Sequence, residues 1–260
     1  LIGAVRYTDS QASSGTWGSA ADWVPVSSTI WQLGLTWQLN DQLTLFTGHN
    51  TGFDVESSAA ARSRTGEVLE PEESAQTELG LRFSAEQFNG SLALFRIERL
   101  NALTVDPLDS DFSVNSGEQR VDGVEVEGRW QLNSALQLQA GYAWMDGEIT
   151  ESNDGDRGAK LGDLARHRVN LSANWQYNDD WSAFVRANYS SGRPLVTGSA
   201  WQLDAYRLIG TGLRYQQSNW SAQLAVNNLL DELYYTASGN GFVVYPGEPQ
   251  QASLQLTWQW

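Results

Sequence analysis

The sequence predicts an all-β protein, an antiparallel transmembrane β-barrel with about 12 strands in this chain. Apolar and polar residues alternate with period two over many stretches. Short turns alternate along the chain with long polar connections, and Trp and Tyr cluster at the ends of the apolar faces, beside the short turns. This combination is typical of outer-membrane barrels, which have short periplasmic turns, long outer loops and aromatic girdles.

The alternation is clearest in residues 168–177. One face of this segment is apolar or aromatic from Val169 to Tyr177, and the other is polar from Arg168 to Gln176. The same pattern, read along the chain, predicts twelve strands at about 1–9, 27–39, 42–51, 74–88, 91–100, 120–132, 136–146, 166–177, 181–190, 201–216, 220–229 and 250–260.

Every second connection is short and contains an asparagine. We expect these residues to allow the positive φ of tight hairpins; they are Asn40, Asn89, Asn133, Asn178 and Asn219. The other connections are long and rich in Gly, Ser, Asp and Glu, and they lie near 10–26, 50–72, 99–119, 146–165, 190–201 and 229–249.

The composition and net charge of the chain argue against several classes of function and structure. The 260 residues include 16 Lys and Arg against 31 Asp and Glu, a net charge of −15, which argues against nucleic-acid binding. Cysteine is absent, which excludes disulfides, thiolate metal sites and cysteine nucleophiles. No stretch approaches the roughly 18 apolar residues of a membrane helix.

Periodicity alone does not tell a membrane barrel from a β-propeller or sandwich with a tryptophan-rich core. Two features favour the membrane barrel. Glu125, Glu127, Arg129 and Gln131 lie in phase on one strand face, which suits a wet lumen because burying such groups unpaired is costly. The second feature is the clustering of aromatic residues at the ends of the apolar faces, which predicts a girdle of Trp37, Trp130, Trp175, Tyr177, Trp181, Tyr215 and Trp220. In addition, strands of this length are long for a propeller blade.

Several motifs, in order along the chain, carry a family resemblance. They are residues 69–82 (LEPEESAQTELGLR), 117–127 (GEQRVDGVEVE), 166–170 (RHRVN), 226–235 (VNNLLDELYY) and 245–249 (YPGEP). Together they resemble the C-terminal half of TonB-dependent outer-membrane receptors, in particular the ferric-siderophore group. The terminal Trp260 is similar to the aromatic end that the barrel-assembly machinery reads, although Phe is the usual residue there.

The resemblance implies a 22-stranded barrel in a Gram-negative outer membrane, of which residues 1–260 would be the C-terminal part. It implies energy-coupled uptake of a ferric siderophore or a similar iron chelate. A plug domain, which this chain is expected to lack, would contact the TonB complex. Outer-membrane lipid and lipopolysaccharide are the other expected partners, and no nucleic acid and no cofactor are expected.

The resemblance also places ligand contacts in the outer loops, where aromatic and arginine side chains suit a bulky, oxygen-rich chelate. Tyr234 and Tyr235 are candidates, although they match a motif that looks structural. The other candidates are Phe242 and Tyr245 in the last loop, Trp17 and Trp23 in the first, and Arg62 and Arg64 in the second.

We do not expect an enzyme. No G-x-S-x-G or H-E-x-x-H motif is present, and His49 and His167 have no convincing partner in sequence. Residues 153–158 have part of a Ca²⁺ loop, but the ligand set is incomplete, so no metal site is expected. The alternative is a free-standing 12-stranded barrel, either an autotransporter-type translocator or a passive channel.

Overall fold

The computed structural model describes residues 1–14, 22–54, 63–66, 69–237 and 243–259. In the part of the chain that it describes, no helix is long and apolar enough to span a bilayer. The strands are β1 (Ile2–Ser14), β2 (Asp22–Gln38), β3 (Leu43–Asp54), β4 (Glu72–Ser84), β5 (Phe88–Asp106), β6 (Asp109–Gln131), β7 (Leu136–Glu151), β8 (His167–Gln176), β9 (Trp181–Ser190), β10 (Arg193–Pro194), β11 (Gln202–Leu203), β12 (Tyr206–Gln216), β13 (Trp220–Asn227), β14 (Tyr235–Ala237), β15 (Val244–Pro246) and β16 (Gln251–Trp258).

Twelve of these strands form one antiparallel sheet with the order β1-β2-β3-β4-β5-β6-β7-β8-β9-β12-β13-β16. Each of the twelve predicted strands overlaps one of them, so the predicted fold class is confirmed. The strands β10 and β11, and likewise β14 and β15, form two small sheets within the outer connections.

The two edges of the sheet are β1 and β16. Among the described residues β1 pairs only with β2, and β16 pairs only with β13. A pairing between β1 and β16 is thus not found among the described residues.

No second layer packs on this sheet within the described ranges. None of the large side chains among the described residues is fully buried, and Leu, Trp and Tyr are exposed on nearly every strand. A sandwich or propeller would bury such residues in a core. A single twisted sheet with one apolar and one polar face is instead what a membrane barrel wall requires.

The predicted long connection at 99–119 is wrong. β5 continues to Asp106 and β6 begins at Asp109, so most of this segment is a long hairpin. Register shifts between Arg99 and Ala102 interrupt the pairing there. One face of this hairpin is buried at Ala102, Thr104 and Asp106, whereas Val105 on the other face is 41% exposed. Because the buried residues are small or polar, the sequence shows no apolar alternation here and does not reveal the strands. The connection predicted at 10–26 is likewise shortened, because β1 extends to Ser14 and β2 starts at Asp22.

The asparagines form tight turns, but not through positive φ. The described non-glycine residues with positive φ are Asn101, Asp163, Asn228 and Asp231, and none of the predicted turn asparagines is among them. Instead, the side-chain oxygen of the turn residue accepts two backbone N–H groups. This occurs at Asn40, Asn133 and Asn178 with distances of 2.9–3.0 Å. Asn89 lies inside β5, opposite Ser84, and is not a turn residue.

Candidate functional site

The outward face of the sheet is a continuous apolar band. Direct cross-strand neighbours run from Leu79 to Leu94, then to Val124 and Trp144 across four strands. Similar rows continue through Leu171, Val185 and Leu213, and these side chains are exposed. An exposed band of this extent has no solvent-facing role and suits contact with lipid.

Aromatic rings form the lower edge of this band, beside the short turns. Trp181 lies 4.7 Å from Tyr215, Tyr215 lies 5.4 Å from Trp220, and Trp220 stacks on Trp258 at 6.3 Å between centroids. Trp175 meets Tyr177 edge-on at 5.4 Å. The predicted clustering of aromatics at this edge is confirmed, and amphipathic rings at this depth favour the membrane interface.

Ion pairs form the upper edge of the band on β5, β6 and β7. Arg96 Nε lies 2.7 Å from Asp122, and Arg120 joins Asp122 to Glu148 at 3.1 and 2.7 Å. Lys160 and Arg166 both contact Asp146, at 2.9 and 2.7 Å. The outward surface therefore passes from aromatic through aliphatic to charged in one direction along the strands.

Both histidines lie on this outward face. The ring of His49 stacks on Trp31 at 4.6 Å and its Nδ1 lies 2.8 Å from Thr77 Oγ1. His167 Nδ1 lies 2.9 Å from the Tyr142 hydroxyl. Neither ring is ion-paired to a described carboxylate, and no metal-ligating cluster is found in the described part of the chain.

The opposite face of the sheet is polar. A cavity of about 810 Å³ opens on this face. It is lined by charged and amide side chains from β4 to β9, among them Arg82, Asn89, Glu127, Arg129, Asn170, Arg186 and Asn188. These groups are exposed, as they would be in a water-filled lumen, and the sequence prediction that this face is too polar for a core is confirmed.

Of the predicted ligand residues, three tyrosines come together in one outer cluster. The Tyr234 ring packs on Tyr206 at 4.7 Å and covers Gly247, and its hydroxyl accepts the Glu248 N–H at 3.3 Å. Tyr234 is thus engaged in holding the loop. Tyr235 and Tyr245 are 43% and 54% exposed and remain available to a ligand.

Of the arginine and tryptophan candidates, only Arg64 has a side chain within the described part of the chain, and it contacts a different outer element. Arg64 Nε lies 3.2 Å from Asp106 Oδ2, at the tip of the β5–β6 hairpin. Trp23 lies in β2 opposite Ser13, but its side chain is outside the description. The candidates Trp17, Arg62 and Phe242 lie outside the described residues.

Sequence patterning missed the arginine that organises the tyrosine cluster. Arg193 is 5% exposed and donates from Nε to Asp163 at 2.6 Å and from Nη2 to the Tyr235 carbonyl at 3.4 Å. Its guanidinium also lies 5.7 Å over the Tyr206 ring. Arg193 therefore joins three outer connections that are far apart in sequence. Contacts over such separations leave no local sequence motif from which they could be predicted.

A second set of contacts involves the residues just before and at the start of β4. The buried carboxylate of Glu72 pairs with Arg99 and accepts the Leu103 N–H at 3.3 Å. Asn115 binds Glu70 through both backbone groups, at 2.8 and 2.9 Å. These contacts tie the connection before β4 to the long hairpin of β5 and β6.

A β wall with a lipid-facing apolar band on one side and a polar face on the other defines the class of an outer-membrane β-barrel. The family model for the TonB-dependent receptor-like β-barrel matches residues 1–229. The chain therefore belongs to the TonB-dependent receptor β-barrel family, whose barrels lie in the outer membrane of Gram-negative bacteria. The predicted family, fold and location are confirmed.

Individual relatives agree with this membership. The metal-pseudopaline receptor CntO of Pseudomonas aeruginosa is 28% identical over 87% of this chain and 33% of its own length. The ferrichrome outer membrane transporter/phage receptor of Escherichia coli K12 is 23% identical over 88% of this chain and 32% of its own. This chain thus spans about a third of these relatives.

Solved structures show the same fold. The siderophore receptor PiuA from Acinetobacter baumannii superposes with a TM-score of 0.84 at 20% identity, over 97% of this chain and 39% of that one. The ferric citrate transporter FecA gives a TM-score of 0.82 at 19% identity, over 98% and 42%.

Proposed function

We propose that the protein takes up an iron–siderophore complex, or a similar metal chelate, across the outer membrane with energy supplied through TonB. The observation that carries this proposal is the polar, charge-lined lumen behind a lipid-facing band, in a chain that belongs to this receptor family. The names of several relatives support it, since they are receptors for ferrichrome, ferric pyoverdine and ferrioxamine B.

In this proposal the outer loops capture the chelate. Tyr235 and Tyr245 are the described candidates for contact, because they are exposed on a loop that Arg193 fixes in place. Trp17, Trp23, Arg62 and Phe242 remain candidates. Arg64 and Tyr234 act indirectly, since Arg64 is paired with Asp106 and Tyr234 covers Gly247.

The lumen wall would guide the chelate after capture. A plug domain of the complete receptor would fill the lumen at rest and contact TonB, so this chain would supply the wall and the vestibule. No covalent step is needed, and the protein acts as a transporter and receptor, not as an enzyme. The bound chelate is cargo and no resident cofactor is proposed.

Lipid is the other partner. We infer that the ion pairs around Asp122 and Asp146 meet lipopolysaccharide headgroups and their bridging cations, because they lie directly above the apolar band.

Uptake of ⁵⁵Fe in iron-limited cells tests the proposal. We expect cells with the full-length protein as their only such receptor to take up iron from a chelate that deletion cells leave outside, and a proton uncoupler to stop this uptake. Uptake that continues unchanged after uncoupling would indicate a passive channel instead. No difference between the two strains, across chelates from the host's own iron-limited medium, would contradict the proposal.

A further inference from the structure

Three arginines form a regular diagonal on the lumenal face of β8, β9 and β12. Arg168 lies at the outer end of β8, Arg186 in the middle of β9, and Arg214 near the short-turn end of β12. Arg186 lies opposite Ser172 and Gly210. Arg186 therefore lies one strand away from Arg168 and four residues closer to the short turns, and Arg214 is displaced from Arg186 in the same way. Each of these two steps is roughly 14 Å long.

The alternation places all three side chains in the lumen. Arg186 lines the cavity, and so does Asn170, which is two residues from Arg168 on the same face of β8. Arg214 lies between Ser182 and Gln223, which continue that face on the neighbouring strands. All three residues are exposed.

Lumenal carboxylates are absent from the strands that carry these arginines and from the neighbouring β13 and β16, although Glu127 on β6 lines the same cavity as Arg186. The other lumenal positions of β8, β9, β12, β13 and β16 are uncharged, being Asn, Gln, Ser, Thr, Ala, Gly, Leu, Phe or Tyr. None of the three forms an ion pair with a residue that the structure describes. Lumenal carboxylates are instead found on β4 and β6, at Glu78, Glu125 and Glu127. The charged lumenal groups of β8, β9, β12, β13 and β16 are therefore all cationic, in a protein whose net charge is −15.

The middle arginine is held in position. Its guanidinium lies 4.7 Å from the centroid of the Phe184 ring, and that ring in turn covers Gly212 on β12. A guanidinium held over a ring keeps its outer N–H donors free for an oxyanion. Cationic groups along one wall of a channel also concentrate anions by their summed field.

We propose that Arg168, Arg186 and Arg214 form an oxyanion track, so that the cargo passing through this lumen is an anionic metal chelate. The inference rests on the proposed transport function and names the charge class of its cargo. Carboxylate or catecholate oxygens of the chelate would bind the arginines in turn, from the outer end of the wall toward the short turns. Carboxylates of the receptor's own polypeptide have the same chemistry and are the competing occupant.

The test is ⁵⁵Fe uptake through the full-length receptor with the triple variant R168Q/R186Q/R214Q. The probes are ferric citrate, an uncharged ferric trihydroxamate, a cationic ferric trihydroxamate, and the host's own siderophores, separated by ion exchange into anionic, neutral and cationic fractions. Arg207→Gln is the matched control, because Arg207 is an exposed arginine on the outward face of β12. Chelate binding to cells at 0 °C and resistance to added protease are measured in parallel.

We expect the wild-type receptor to take up an anionic chelate. In the triple variant uptake should fall by about tenfold or more, with surface binding unchanged, because each lost charge-assisted contact costs roughly that factor. The variant R186K should retain more uptake than R186Q, and R207Q should match wild type.

Four results would overturn the inference. Uptake restricted to neutral or cationic chelates, or unchanged uptake in the triple variant, would contradict the track alone. Loss of surface binding together with faster proteolysis would assign the arginines to polypeptide carboxylates. Absence of any uptake by the wild-type receptor would contradict the proposed function itself, and the track with it.

Discussion

The phenyl ring of Phe184 on β9 covers Gly212, the residue directly opposite it on β12. The same relationship joins Phe46 to Gly80 and Phe95 to Gly123, and all three pairs lie on the lumenal face. A Cβ at any of these glycines would overlap the ring. Each ring thus lies flat along the wall and shields the backbone of a glycine that has no side chain of its own.

Replacement of Gly212 by alanine should therefore destabilise the barrel. The new methyl group must displace the Phe184 ring, and overpacking of this kind costs about 1–3 kcal/mol. Thermal unfolding in detergent, followed by the loss of heat-modifiable migration on gels, measures the effect. Gly141→Ala is the matched control, because this lumenal glycine on β7 has no atom within 4 Å of a built Cβ. Equal stabilities of the two variants would contradict the assigned role of the ring.

Loss of the Arg193 guanidinium should release the outer cluster. Arg193→Met leaves Asp163 and the Tyr235 carbonyl without their donor. Because the Asp163 side chain is 56% exposed and water can replace the lost donor, we expect a local loss of about 1–3 kcal/mol. We expect faster cleavage of the 229–249 connection by added protease. Arg157→Met is the control, since the Arg157–Glu151 pair is exposed at 3.1 Å and such pairs contribute at most about 1 kcal/mol. Unchanged cleavage after loss of Arg193 would show that other contacts hold the loop.

The turn asparagines give a prediction that separates the two explanations of their role. Asn133→Ala removes an acceptor for the Ala135 and Leu136 N–H groups and should cost about 1 kcal/mol. Asn133→Gly would restore stability only if positive φ were the requirement. Asn89→Ala should be nearly neutral, because Asn89 is a strand residue. Urea unfolding in detergent measures all three, and a stabilised glycine variant would contradict the acceptor role.

The buried carboxylate of Glu72 should be required for the connection between the second outer loop and the long hairpin. Glu72→Gln keeps the shape but removes the charge that pairs with Arg99. We expect increased hydrogen exchange at the Leu103 N–H and the adjacent hairpin, which now depends on a weaker acceptor. Glu73→Gln, an exposed neighbour, serves as the control. Unchanged exchange at Leu103 would mean that the hairpin is held by its own strand pairing.

Much of the fold could be predicted because the membrane imposes an alternation of apolar and polar residues on each strand separately. Side chains along every strand must point alternately to lipid and to the lumen. The apolar Leu171 and the polar Asn170 therefore indicate from the sequence alone which face each one occupies. Above the membrane this constraint ends. The hairpin of β5 and β6 differs from the prediction because its buried face is formed by Ala102, Thr104 and Asp106, which give no apolar alternation.

The candidate site was less predictable for a related reason. Arg193 meets Asp163 and Tyr235, which are 30 and 42 residues away, so no spacing reveals the cluster. The sequence alternation places the lumenal arginines on the polar face of their strands, but their diagonal arrangement depends on the register between strands. Register is set by the turns and the pairing together and cannot be read from one strand.

The central claim is that one face of this sheet meets lipid and the other meets a water-filled lumen, and spin-label accessibility tests it most directly. The chain contains no cysteine, so single cysteines for nitroxide labelling can be introduced without background. Labels at Leu171, Val185 and Leu213 should favour collision with oxygen, which partitions into lipid. Labels at Asn170, Asn188 and Gln223 should favour collision with a water-soluble nickel chelate. Uniform access of the nickel chelate to both sets, or the opposite alternation, would contradict the account.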